Sequence, residues 1–449
     1  MARSTSLSAL AIACLAIGCG SEPRPGARSD GGGAVAAAPS TSPSATATES
    51  GTAPAEVALT PRGPAVKIEQ LIGDVDKHLH RPTSGRTLER YGVGGTDLGY
   101  AFEDGDRVVL LFGDTLGTEG QVGSDAVGFT RDRDPEDGVA LEFYAREDGK
   151  YLPFRPRDAR GKEQRLMGFE VPVAGIRLGD DVLVAYKDGH TGDEDGSKDP
   201  DAEPAEPTDV TSLARLDVAT GRATTLCELS RQPRGRFQKL SLREPVDPTG
   251  LPEGGPWVLM HGTGRHRASH GYLALAPRAS FASCTGLRYF ARLENGAPVW
   301  TAAEAEAGPV LRDGTGDGGI GELSVTWAAP VKRWLAVYDT KQAGSRRILL
   351  QHAAAPWGPW SEPVTLLDGK RDAAGVYMHD PAHRPDDGQA GPKIGKDKDH
   401  PERARGTVYA PFVVERWTRL EGDTLRIYFT LSLWNPYVVL LMRADLALH

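Results

Sequence analysis

The chain has 449 residues, 39% of them apolar and 25% charged, enough for a buried core and too apolar for wholesale disorder. Its 52 basic and 61 acidic residues leave a net charge of −9, which argues against a nucleic-acid partner, because phosphate binding needs a basic face. The 54 glycines and 33 prolines favour many tight turns over long helices.

Residues 1–18 read as a signal peptide. Arg3 precedes the apolar run Leu7–Ile17, far too short to span a bilayer, and small residues follow it. The stretch Leu15-Ala16-Ile17-Gly18-Cys19 is similar to a bacterial lipoprotein signal, in which Cys19 is lipidated and becomes the mature N-terminus. An ordinary secretory peptide is the alternative. The expected location is extracytoplasmic, at an outer membrane or cell surface, with the lipid as the only membrane contact. Residues 19–65 form a disordered tether by composition: Ala, Gly, Pro, Ser and Thr dominate and no aromatic residue occurs. Beyond it the only cysteines are Cys227 and Cys284. An oxidising compartment permits a disulfide between them, though spacing does not establish it.

Over residues 66–449, short β-branched and aromatic runs alternate with turn signals, and helical periodicity is scarce. The clearest hairpin runs from Thr96 to Phe102, turns at Gly105-Asp106 and returns from Arg107 to Thr115. The stretch Gly321–Trp327 with Trp334–Thr340 aligns to it without gaps, laying Asp97 over Glu322 and Asp114 over Asp339. Weaker echoes place Gly105 over Gly179, Gly254, Pro330 and Gly422, at steps of roughly 75 residues. The last step is longer, and Arg384–Arg405 reads as a polar surface insertion that accounts for it. Five such units predict an all-β domain, a single five-bladed β-propeller.

The strings Gly95-Thr96-Asp97-Leu98-Gly99 and Leu111-Phe112-Gly113-Asp114-Thr115 resemble the opening of the domain of unknown function 4185. So do Gly321-Glu322-Leu323-Ser324-Val325, Ala355–Ser361, Tyr409-Ala410-Pro411-Phe412 and Tyr428–Tyr437, in the same order, over roughly residues 85–445. The resemblance implies a five-bladed propeller, which agrees with the repeat. It also implies a kinship to glycoside hydrolase family 183, whose members cleave D-arabinan internally.

A two-residue turn at Gly105-Asp106 sets Asp97 opposite Asp114, at one end of one blade. The matching hairpin sets Glu322 and Asp339 at the same end of the fourth blade. Inner strands converge on one axis, so these carboxylates face a shared funnel, and glycosidic cleavage requires two of them. Glu322 is assigned as the acid and Asp97 as base or nucleophile; Asp114 tunes its neighbour or braces the loop, and Asp339 reads as structural. Acids at strand ends also serve simply to bond turn backbone. Asp125 and Glu170 are the next candidates.

Arg265, in Gly262-Thr263-Gly264-Arg265, and Tyr377 and His379, in Tyr377-Met378-His379-Asp380-Pro381, are candidate substrate-binding residues. Trp357 and Trp360 suit packing between blades, and Trp434 suits stacking on a sugar. The acidic stretch Asp188–Pro207 reads as a solvated loop, its glycine misplaced for a calcium loop. There is no GxSxG elbow, HExxH or phosphate loop, so no metal and no cofactor is expected. The function expected is that of a monomeric, surface-anchored hydrolase of furanose-containing, D-arabinan-like polysaccharide. A non-catalytic glycan-binding or envelope-scaffold propeller is the alternative.

Overall fold

Among the described residues, five antiparallel sheets of four to six strands form the blades, beside a small two-stranded sheet of Val75–Asp76 and Arg81–Pro82. The computed structural model describes residues 57–117, 123–166, 170–188, 209–232, 235–247, 249–314, 318–342, 345–394 and 398–449. The signal peptide, Cys19, nearly all of the tether and residues 189–208 lie outside them. Blade 1 orders the strands Leu98–Asp104, Arg107–Phe112, Ala126–Thr130 and Glu142–Phe143. Blade 2 runs Pro172–Leu178, Asp181–Asp188, Val210–Asp217 and Arg222–Arg231. Blade 3 begins Lys239–Arg243, Trp257–Thr263 and Gly271–Pro277, and blade 4 begins Ile320–Ala328, Arg333–Gln342 and Ser345–Ala353. Blade 5 is built on Val408–Val413, Thr424–Leu433 and Val438–Leu448. The first strand of each blade touches the first strand of the next, and that of blade 5 touches that of blade 1, which closes a five-membered ring.

The repeat in the sequence falls on one structural position. Gly105, Gly179, Gly254, Pro330 and Gly422 each lie in the turn that leads into the second strand of a blade. Gly105 and Gly179 both take φ of 64°, a left-handed conformation that two-residue hairpin turns require.

Two expectations change. The tether was expected to run to residue 65, yet Leu59–Pro61 pairs with Leu446–Leu448, and Val66–Gln70 pairs with Leu440–Arg443. Ala58 and His449 exchange backbone hydrogen bonds of 3.2 and 3.1 Å. The folded unit thus reaches back to residue 57, and the N-terminal strands finish blade 5. A three-residue edge strand among Pro, Ala and Gly is too short to carry a periodic signal. The second change is one of register. Asp104 pairs with Arg107 and Tyr100 with Leu111, as the Gly105-Asp106 turn dictates, but Leu98 then pairs with Phe112. The slip is a bulge at Leu98 and Gly99, whose φ values are 63° and 86°. Asp97 therefore lies opposite Gly113, which donates to its carbonyl at 3.2 Å, and not opposite Asp114.

The apolar cores sit between blades, around fully buried Phe112, Phe237, Tyr338 and Tyr428. Cys227, in the outer strand of blade 2, is disulfide-bonded to Cys284, beyond the third strand of blade 3, with Cα atoms 5.9 Å apart. The Arg384–Arg405 stretch is more than a surface insertion. Asp387, Gln389 and Lys393 are buried in it, and the Asn435 amide donates to the carbonyls of Pro401 and Ala404 at 2.7 and 2.6 Å.

Candidate active site

The ring dictates where chemistry gathers. The five inner strands run the same way along the axis, so residues at their starts meet at one end. Asp97 immediately precedes the inner strand of blade 1, and Lys239 opens that of blade 3. Glu322 is the third residue of blade 4's inner strand, and Tyr409 the second of blade 5's. Arg267 arrives from the loop joining the second and third strands of blade 3.

These groups form one connected set. The Tyr409 hydroxyl donates to Asp97 Oδ2 at 2.8 Å. The Arg267 guanidinium lies 5.2 Å over the Tyr409 ring and 3.4 Å from Glu322 Oε2. Lys239 Nζ stands 3.4 Å from Glu322 Oε1 and 2.7 Å from His266 Nδ1. Asp339 accepts the Glu322 and Ala410 backbone N–H groups at 2.9 and 3.3 Å and Arg346 Nη1 at 2.7 Å.

The backbone is strained where these side chains are aimed. Leu98, Arg267 and Ala410 take φ of 63°, 52° and 53°, which is costly for residues that carry a Cβ. Ala410's turn brings its N–H to Asp339, and Leu98's sets Asp97 in place. Gly113 completes the arrangement, since a Cβ there would lie 2.3 Å from Asp97 Oδ1.

The carboxylates sit in opposed electrostatic surroundings. Removal from water drives the Asp97 carboxyl up to about 6; Glu322's charge adds to this, while the Tyr409 and Tyr437 hydroxyls and Arg267 oppose it. Burial alone would raise Glu322 too, yet Arg267 and Lys239 hold it well below the usual carboxylate range. Burial and the adjacent Glu322 push Asp339 well up, against the Arg346 guanidinium and the two backbone N–H groups that favour its charged form. Glu322 is 3% exposed; Asp97 is half-buried as a residue, but its Oδ1 is buried and has no hydrogen-bond partner among the described residues. Asp125 is wholly buried, neither carboxyl oxygen has a hydrogen-bond partner among the described residues, and burial with Asp114 and Asp97 nearby pushes it well up.

Asp97 and Glu322 thus share one end of the axis, and buried Asp114 lies close enough to act on Asp125. Arg265 is exposed, and Arg267, two residues on, is the one that reaches Glu322. His379 is spoken for on both ring nitrogens, by Asp387 at 2.8 Å and the Glu402 carbonyl at 3.0 Å, which removes it as a substrate ligand. Tyr377 is buried against His78, with centroids 5.8 Å apart, and belongs to the packing and not to the mouth. Trp357 packs edge-on against Trp300, and Trp360 against His261. Trp434 carries Lys393 Nζ 4.1 Å above its ring and meets Tyr437 edge-on, so this platform is occupied from within. Sequence reasoning missed Lys239, Arg267, Tyr409 and Tyr437 as site residues. The last two stood inside quoted motifs; the cations left no signal.

Comparison with solved structures gives distant likenesses. One is to an exo-β-1,3-galactanase from Phanerochaete chrysosporium with β-1,3-galactotriose, 8% identical, TM-score 0.40, over 85% of this chain and 64% of that one. This chain thus spans less than two thirds of that galactanase. Another is to an α-L-arabinofuranosidase from Podospora anserina in complex with cellotriose, 9% identical, TM-score 0.40, over 86% and 97%. A third is to an endo-arabinase from Bacteroides thetaiotaomicron, 13% identical, TM-score 0.37, over 78% and 93%. No curated protein matches the chain. The model of the domain of unknown function (DUF4185) matches residues 83–443, most of the chain and all five inner strands, and the chain belongs to that family.

Proposed function

We propose that the chain is a glycoside hydrolase acting on furanose-containing, D-arabinan-like polysaccharide, held outside the cytoplasm by a lipid on Cys19. The observation that carries this reading is the gathering of Asp97 and Glu322 at one end of the axis, joined through Tyr409 and Arg267, in opposed electrostatic surroundings. A carboxyl near 6 is mostly protonated only below about pH 6, whereas its partner stays the anion there. The roles run opposite to the order suggested by sequence. Asp97, whose buried Oδ1 has no hydrogen-bond partner among the described residues, protonates the departing glycosidic oxygen as the C1–O bond breaks. Glu322, whose proton affinity is low, suits a nucleophile or a charge that stabilises the oxocarbenium-like transition state better than a base. Tyr409 and Arg267 position the two groups. Polysaccharide is the partner this reading requires, and the protein is proposed to act as a monomer.

The test is to incubate protein starting at residue 57 with plant and envelope polysaccharides, including D-arabinan, and to follow oligosaccharide release. Defined products that vanish in Asp97→Asn and Glu322→Gln support the reading. Binding without release, unchanged in both variants, favours a glycan-binding propeller. Loss of lipid labelling in Cys19→Ala tests the anchor.

A further inference from the structure

On the flank of the ring, away from the mouth, the segment after blade 1 runs to the outer strand of blade 2. Pro153 bridges to Ala126, and Arg157 N–H donates to the Ala223 carbonyl at 2.9 Å. Between them lies a concave pocket of about 240 Å³, walled by Arg146, Arg155, Arg157 and Arg222, with Glu163 as its one acid. Four guanidiniums against one carboxylate is an unusual local excess in a chain of net charge −9.

The internal contacts leave much of that charge unanswered. Arg157 places Nη2 2.8 Å from Glu163 Oε1, while Arg222 comes only to 3.9 Å from the same oxygen. Arg155 donates to the Ser124 hydroxyl at 3.0 Å, not to an acid, and Arg146 pairs at 2.9 Å with Asp148, outside the pocket wall. Arg157, Arg155 and Arg222 together hold the Glu163 carboxyl below its ordinary range, so one anion already serves three cations. The side chains of Arg146, Arg157 and Arg222 are about half exposed, so their guanidiniums are within reach of a solute. Gathered like charges repel unless an anion joins them, and planar guanidinium forks match oxyanions bidentately. A carboxylate offers two oxygens; a phosphomonoester offers three and close to two charges. Leu152 and Pro153 add an apolar wall of sugar-ring size.

We infer that this arginine pocket binds a phosphomonoester group, carried by a sugar or by a lipid headgroup. The experiment uses the folded protein from residue 57 and isothermal titration with inorganic phosphate, glucose 6-phosphate and glucose at low and at physiological ionic strength. Both phosphates are expected to bind saturably at one site, more weakly in salt, and glucose not at all. Arg155→Gln and Arg222→Gln each weaken binding about tenfold, the value of one charge-assisted contact. Glu163→Gln tightens it about threefold or more, because the internal competitor for the same arginines is gone; a merely structural acid would not do this. Unchanged thermal midpoints show that the variants fold. Vesicles of phosphatidic acid in phosphatidylcholine, against phosphatidylcholine alone, separate the sources. Retention that depends on Arg155 and Arg222 identifies the headgroup, and binding confined to the soluble phosphates identifies the sugar. Absence of saturable phosphate binding in both wild type and Glu163→Gln, or binding indifferent to Arg155→Gln with Arg222→Gln, overturns the inference.

Discussion

On the proposed hydrolytic reading, Asp97 and Tyr409 between them set the pH at which the site works. An acid with a pKa of about 6 loses its proton as pH rises through that value, so turnover should fall on the alkaline side there. The Tyr409 hydroxyl bonds to the charged form, so Tyr409→Phe should raise the carboxyl further and move that limb to higher pH; a pH–rate profile of both proteins checks the direction. Stability follows the same group. A carboxyl raised above its ordinary 3.8 stabilises the fold fully below about pH 4, and that contribution is lost as pH rises through about 6. Asp97→Asn should flatten this part of the denaturation midpoint's pH dependence. Asp97→Asn and Glu322→Gln should each cost about 10²–10⁴-fold in kcat, read on whichever polysaccharide proves to be cleaved. The two acids were legible because an internal repeat laid one over the other. Lys239 and Arg267 were not: a buried cation at a strand start leaves no periodic trace, and alternation cannot tell Arg265 from Arg267 in a loop.

The hairpin carrying Asp97 shows where sequence arithmetic stops at the scale of an element. The Gly105-Asp106 turn dictated its lower rungs correctly, from Asp104–Arg107 to Tyr100–Leu111. The bulge above them could not be counted from the turn, because Gly99 reads equally well as an ordinary strand glycine. Its φ of 86°, with Val439 Cγ1 3.2 Å from where a Cβ would stand, predicts that Gly99→Val both destabilises the blade and displaces Asp97. Activity should then fall further than the thermal midpoint alone explains. Between blades 2 and 3, the disulfide closes a span of 57 residues. Chain entropy values such a loop at up to about 4 kcal/mol, so Cys227→Ser with Cys284→Ser should lower the urea midpoint without changing the strand order, as circular dichroism would show.

For the whole molecule, the five-fold pitch was visible because every second strand is entered through a turn that favours Gly or Pro. The closure was invisible, since Leu59–Pro61 is defined only by its partner at the far end of the chain. Protein begun at residue 66 should therefore lose the outermost pairing of Leu446–Leu448, unfold at lower temperature than protein begun at residue 57, and aggregate through the bared edge. Differential scanning calorimetry with light scattering measures both. That pairing of Ala58 with His449 also fixes a timetable. Synthesis runs from the N-terminus, so the first strand of the domain emerges with nothing to pair with and waits for the last one. Blades 1 to 4 can form as they appear, but the ring stays open until Val438–Leu448 has been made. A message cut short anywhere before Val438–Leu448 yields an unclosed ring whose N-terminal strands have no partner, an open form with a bared sheet edge.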